Sequence, residues 1–149
     1  MSRQDNENIY LMFSNALHFC ISAFLHFWDR SHLLLRPTSP REFVQMGNCG
    51  SPIETDAGWL VLSHGVGPSR KYSIGAFLLD RDDPTKVIGR LRDPLLTPNK
   101  GERVGYVPNV VYSCGAIVHN GILVLPYAMS DYASTFATIP VKELLEALI

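Results

Sequence analysis

Short strand-like runs, with turn signals roughly every ten residues, constrain this chain more than any other feature of its sequence. The runs Trp59–His64, Tyr72–Asp80 and Val87–Leu91 are rich in branched and aromatic residues, and turn-forming residues follow each of them. Asn120-Gly121 predicts a tight hairpin turn, because these two residues readily take positive φ angles. A helical period is visible in Pro140–Ile149, and the crossover helices that a parallel sheet needs are absent from the sequence pattern. The sequence therefore predicts an all-β fold with a short C-terminal helix.

A glycine-rich stretch, Gly47–Tyr72, contains the residues best suited to hold a ligand. We interpret residues 47–56 as a loop with a turn, and residues 58–64 as a short strand that delivers His64 into a turn bounded by glycines. A second glycine loop then carries Arg70 and Lys71 towards Tyr72. Such loops let the backbone approach a ligand closely. The stretch predicts an anion or sugar site, although His64 could instead cap a turn, and Arg70 and Lys71 could be a solvated pair.

Charge and cysteine content exclude several classes of function. The 149 residues carry a net charge of −1, which does not favour a nucleic-acid or anionic-membrane partner. The three cysteines, Cys20, Cys49 and Cys114, are odd in number and lack the spacing of a metal site. They favour free thiols in a reducing, cytoplasmic compartment over a disulfide framework. We interpret Cys49 and Cys114 as packed small residues, and expect no metal and no organic cofactor.

The segment Ile9–Trp28 carries no formal charge and has roughly 20 residues, enough to cross a bilayer. Its two histidines raise the cost of insertion, and the residues before it are acidic and polar, unlike a signal peptide. The phrases Ser14–Cys20 and Ser22–Trp28 are similar, which indicates two short strands or a local duplication. We therefore expect a buried strand pair or helix here, and no membrane span.

Five motifs in the second part of the chain, taken together, resemble glycoside hydrolase family 130, and the resemblance covers about residues 32–148. The motifs are Gly50–Trp59, His64-Gly65-Val66, Tyr72–Ala76, Leu79–Arg90 and Gly105–Gly115.

The resemblance implies the C-terminal portion of a five-bladed β-propeller, about two to three blades with a short C-terminal helix. Residues 1–31 are then an atypical N-terminal segment, and residues 32–149 form the C-terminal blades. Family members cleave β-mannosides with inversion, by phosphorolysis or hydrolysis, using a general acid from an earlier blade. No catalytic residue is therefore assigned here, and we expect the chain to be inactive alone. The alternative is a catalytically silent propeller fragment that binds carbohydrate or associates with itself.

Three binding residues follow from the resemblance. It implies that His64 and Tyr72 contact inorganic phosphate, the co-substrate, and that Asp131 binds the mannosyl ring of a mannose-containing oligosaccharide. Gln45 stands where the phosphorylases often have a lysine, which removes a positive charge and leaves hydrolysis open. From the residues alone, Tyr72 could instead be a core or rim tyrosine, and Asp131 could belong to an ordinary loop turn.

Overall fold

Three antiparallel sheets follow one another along the chain in a computed structural model that describes residues 8–12, 17–22 and 30–148, with side chains from residue 32. Each sheet is built from strands that are neighbours in sequence. The first contains β1 (Asn8–Met12), β2 (Leu17–Ser22) and β3 (Arg30–Leu35), in that spatial order. The second contains β4 (Gln45–Asn48), β5 (Ile53–Thr55), β6 (Gly58–Val66), β7 (Tyr72–Leu79) and β8 (Val87–Arg90).

The third sheet is followed directly by a helix. It contains β9 (Val111–Tyr112), β10 (Ile117–His119), β11 (Ile122–Met129) and β12 (Ala133–Pro140), and helix α1 spans Val141–Leu148. Asn120 and Gly121 join β10 to β11 with φ angles of 50° and 74°, the positive values that the hairpin prediction required. The predicted all-β class and C-terminal helix are both confirmed.

The second sheet is buried on both faces, because its central strands β6 and β7 alternate between two hydrophobic clusters. Leu60, Leu62 and Ile74 face the third sheet, and α1 adds two leucines to this cluster. Val61 and Phe77 face the other way, towards partly buried leucines of β3. Side chains that alternate along a strand point to opposite faces. Residues of even number on β6 and β7 therefore lie between the second and third sheets.

The predicted loop holds only for residues 49–52, between β4 and β5, and the predicted turn holds at Asp56. The predicted turn at His64 is wrong. Strands β4 and β5 pair with successive parts of β6, and β6 continues two residues beyond His64. The glycine after His64 serves a close approach instead of a chain reversal: a Cβ on Gly65 would lie 2.8 Å from the carbonyl oxygen of Arg41. That carbonyl belongs to the short 3-10 turn Pro40–Glu42.

The uncharged segment near the N-terminus forms strands where it is described. β1 and β2 pair antiparallel, from Asn8 opposite Ser22 to Met12 opposite His18, so these residues form strands, one of the two alternatives expected for the segment. The second similar phrase, Ser22–Trp28, lies outside the described residues apart from Ser22. Among the described ranges, no helix is long and apolar enough to cross a membrane.

The third sheet has one face in the core and one face in solvent. Leu123 and Leu125 of β11 are fully buried. The opposite side, which we call the outer face, consists of Ile117, Val124, Pro126 and Phe136 by register and alternation. Ile117 and Phe136 are 64% and 66% exposed. Within the described part of the chain, no strand pairs with the outer edge of β12.

Candidate functional site

The first element of the site is an aromatic cluster where the second sheet meets the third. His64 on β6 lies opposite Ile74 on β7, and Tyr72 is two residues from Ile74, so His64 and Tyr72 share a face as diagonal neighbours. Their rings are stacked, with centroids 5.9 Å apart and planes 22° apart. Tyr112 on β9 packs against the same imidazole at 5.6 Å, tilted by 58°. The cluster therefore joins two sheets.

A pocket of about 320 Å³ opens beside this cluster, between the second and third sheets. It brings together two of the three predicted binding residues, Tyr72 and Asp131, which are far apart in the sequence. The third, His64, is not part of the lining and lies behind the rings of Tyr72 and Tyr112. The lining residues are Arg70, Tyr72, Val107, Val110, Tyr112, Ala128, Ser130 and Asp131.

Backbone hydrogen bonds fix the pocket wall to both sheets. The amide of Tyr72 donates to the carbonyl oxygen of Asn109 at 3.0 Å. The amide of Ser130 donates to the carbonyl oxygen of Val110 at 2.9 Å, and the amide of Val107 donates back to the carbonyl oxygen of Ser130 at 3.1 Å. The loop before β9 and the turn after β11 are thus clasped together, and this clasp positions Asp131.

The same wall contains unusual backbone conformations. Asn109, Ser130 and Asp131 have φ angles of 64°, 51° and 51°, in the left-handed region that side chains disfavour by roughly 1–2 kcal/mol per residue. Asn and Asp tolerate this region better than most residues. Strained backbone persists where the surrounding contacts impose it, and it is common at binding sites.

His64 packs behind the pocket and brings no positive charge to it. Its side chain is only 3% exposed. Burial lowers the pKa of its imidazole below the ordinary value of 6.5, and a hydrogen bond with the backbone of Asn48 opposes the shift only in part. The ring is therefore mostly neutral at pH 7. Burial also raises the pKa of the Tyr112 phenol, which keeps that hydroxyl protonated as a possible donor.

Two exposed residues of the pocket lining, Arg70 and Asp131, are charged. Neither forms an ion pair with another described residue. The sequence placed Arg70 in the stretch predicted to bind an anion or a sugar but left a solvated pair with Lys71 open, and it gave no signal for Tyr112. Gln45, in contrast, pairs with Val66 at the end of the second sheet where Tyr72 also lies.

The cysteines do not contribute to this pocket. Cys49 is buried, as predicted, and burial raises the pKa of its thiol to about 12. The packed position predicted for Cys114 is wrong, because this free thiol is exposed. Across residues 8–12, 17–22 and 30–148, no group of three His, Cys, Asp or Glu side chains is arranged to hold a metal ion.

Successive antiparallel sheets with a pocket between the second and the third define the chain as part of a β-propeller with a candidate ligand site between blades. Comparison with known proteins then gives the family. The family profile described as beta-1,4-mannooligosaccharide phosphorylase matches residues 4–149. The chain belongs to glycoside hydrolase family 130, and the predicted five-bladed propeller portion is confirmed.

Several relatives extend this result. A 1,2-beta-oligomannan phosphorylase from Thermoanaerobacter sp. strain X514 is 33% identical over 92% of this chain and 44% of its own length. The solved structure of beta-1,2-mannobiose phosphorylase from Listeria innocua, in complex with beta-1,2-mannobiose, superposes with a TM-score of 0.79 at 32% identity. It covers 89% of this chain and 38% of the Listeria chain. The chain thus spans less than half the length of these relatives.

A further solved structure comes from work on family members that are hydrolases targeting beta-1,2 mannosidic linkages in Candida mannan. It superposes with a TM-score of 0.71 at 25% identity, over 90% of this chain and 43% of the other. Both phosphorylases and hydrolases therefore occur among the relatives.

Proposed function

We propose that this chain forms the phosphate-binding side of an enzyme that cleaves β-mannosides, with inorganic phosphate as co-substrate and no organic cofactor. The observation that carries the proposal is the pocket between two blades, which Tyr72 and Asp131 both line although they lie far apart in the sequence. His64 supports Tyr72 from behind. This arrangement suits a ligand that has both an anionic part and a hydroxyl-rich part.

Each residue has a distinct role in the proposal. The Tyr72 hydroxyl donates a hydrogen bond to a phosphate oxygen, and the neutral His64 ring holds the Tyr72 ring in place through the stacked contact. The Asp131 carboxylate accepts hydrogen bonds from hydroxyls of the mannosyl ring. Phosphate then attacks the anomeric carbon opposite the leaving oxygen, which a carboxylic acid protonates. We place that acid outside the portion of the fold that this chain covers.

Phosphorolysis and hydrolysis differ only in the nucleophile, phosphate or water. The named curated relatives are phosphorylases, which supports phosphate. Gln45 contributes an amide instead of a charge at the end of the sheet near Tyr72, which favours water. Product analysis separates the two, because phosphorolysis releases mannose 1-phosphate and hydrolysis releases mannose.

A titration of the chain with inorganic phosphate, followed by NMR, tests the binding roles. We expect a dissociation constant in the millimolar range, which corresponds to a binding free energy of about −4 kcal/mol. The resonances of His64 and Tyr72 should shift. His64→Ala should weaken binding, whereas His119→Ala, at an exposed hairpin, should not. Mannose should shift Asp131. An absence of any shift at these residues up to high ligand concentration would refute the proposal.

A second candidate function is a catalytically silent module that binds carbohydrate or associates with itself. The outer face and the unpaired edge of β12 favour self-association, because exposed apolar faces and open strand edges recruit other chains. For either function we propose a cytoplasmic location, which the two free thiols of Cys49 and Cys114 support.

A further inference from the structure

We propose that Arg70 is the anion-binding residue of the pocket and directs its guanidinium N–H groups to the oxygens of the phosphate. The inference rests on the proposed function and extends it, because neither the motifs nor the relatives' names assign a role to Arg70. Among the described residues that line the pocket, Arg70 is the one with a positive charge. It lies in the same lining as Tyr72 and Asp131.

The need for a cation follows from the other groups present. A phosphate in this pocket would lie near the carboxylate of Asp131, and two negative charges repel strongly where water is partly excluded. His64 cannot compensate, because it is buried and mostly neutral. The phenol of Tyr72 can donate a hydrogen bond but adds no charge. Arg70 has no ion-pair partner among the described residues, so its guanidinium can serve the ligand.

The backbone places Arg70 at the pocket. Ser69 and Arg70 are consecutive left-handed residues, with φ angles of 58° and 53°, in the short 3-10 turn Pro68–Arg70. The turn is closed by a hydrogen bond from the amide of Gly67 to the carbonyl oxygen of Lys71 at 3.0 Å. Two consecutive left-handed residues with side chains are costly, and here this conformation accompanies the placement of Arg70 in the lining.

The neighbouring cation goes elsewhere, which provides an internal control. The backbone of Lys71 is extended, with a φ angle of −73°. It lines a separate pocket of about 240 Å³ with Ser73, Pro94 and Thr97 among others. The adjacent residues Arg70 and Lys71, which have equal charge, therefore line different pockets. If Arg70 contacts phosphate directly, removing its charge must weaken phosphate binding more than removing the charge of Lys71 does.

The test is phosphate binding by the full chain, measured by NMR titration for four proteins. We expect Arg70→Gln to raise the dissociation constant for inorganic phosphate about tenfold, the size of one charge-assisted contact at a partly exposed site. Arg70→Lys should recover part of the affinity, because lysine keeps the charge but lacks the two-pronged guanidinium geometry. Lys71→Gln should stay within about twofold of the unmodified chain. Binding of mannose, which is neutral, should not change in Arg70→Gln.

Each contrary outcome has a defined meaning. If phosphate shifts His64 and Tyr72 but Arg70→Gln binds normally, the role of Arg70 is refuted and the proposed function stands. Equal losses in Arg70→Gln and Lys71→Gln would refute it too, because they would show a general charge effect. Loss of mannose binding in Arg70→Gln would indicate a structural role instead. If the unmodified chain binds no phosphate, both proposals fail.

Discussion

Two arginine–glutamate ion pairs of equal length test how burial changes the contribution of an ion pair to the free energy of unfolding. Glu42 meets Arg90 at 2.7 Å with side chains 8% and 21% exposed. Glu54 meets Arg81 at the same 2.7 Å with side chains 56% and 54% exposed. Glu42 also contacts Arg41 at 3.5 Å. The perturbation is Glu42→Gln, with Glu54→Gln as the matched control.

The expected magnitudes differ because the two arginines are left in different surroundings. Removing the Glu42 charge leaves Arg90 largely buried and without its partner, and breaking a buried pair in this way costs about 3–5 kcal/mol. The remaining exposure of Arg90 and the hydrogen bond from its guanidinium to Thr38 at 3.0 Å favour the low end, about 3 kcal/mol. The exposed pair of Glu54 is worth roughly 0.2–1 kcal/mol.

The assay is equilibrium unfolding in urea, which leaves the ionic strength constant, at one protein concentration for all three proteins. We expect the free energy of unfolding to fall by about 3 kcal/mol in Glu42→Gln and by less than about 1 kcal/mol in Glu54→Gln. Added salt should reduce the smaller effect and leave most of the larger one. Equal losses in the two variants would refute the argument that burial decides the difference.

Three further predictions concern pH, association and activity. Folding lowers the pKa of His64, so the unfolded chain binds the proton more tightly. The free energy of unfolding should therefore fall as the pH drops below 6.5. His64→Gln should remove this pH dependence, measured by urea unfolding across that range. Phe136→Lys should weaken self-association about tenfold by removing a two-thirds exposed ring from the outer face, while Val104→Lys, which removes an apolar side chain that is 77% exposed elsewhere, should leave the sedimentation profile unchanged. The chain alone should release no mannose or mannose 1-phosphate from β-mannosides in a product assay, because general acid catalysis contributes about 10²–10⁴-fold; steady turnover would contradict this.

The local sequence pattern was sufficient to predict most strands of the fold. The strands β7 and β8 and the Asn120-Gly121 hairpin were predicted nearly at their observed bounds, because alternation and turn chemistry act over a few residues. The strands β4 and β5 were missed. β4 contains Gly and Asn, which are depleted in strands, and β5 has only three residues, so pairing with β6 supplies their order.

The candidate site depended on contacts that no local pattern records. Tyr112 meets His64 across two sheets, and Arg70 reaches the pocket through a turn whose left-handed residues are not glycine. Glycines 65 and 67 suggested a ligand loop, but they accommodate the backbone of residues 40 and 41. A glycine that serves a ligand and one that serves chain packing look alike in sequence. The structure was needed to separate them.

We propose above that the pocket between the second and third sheets serves cleavage of a β-mannoside by phosphate. The most direct measurement uses a chimera in which residues 32–148 of this chain replace the matching portion of the Listeria innocua enzyme, which supplies the rest of the fold. We predict that the folded chimera cleaves beta-1,2-mannobiose only when phosphate is present and releases mannose 1-phosphate. His64→Ala and Asp131→Asn should each lower this rate. A chimera that folds, by circular dichroism, but shows no phosphate-dependent cleavage would contradict the claim.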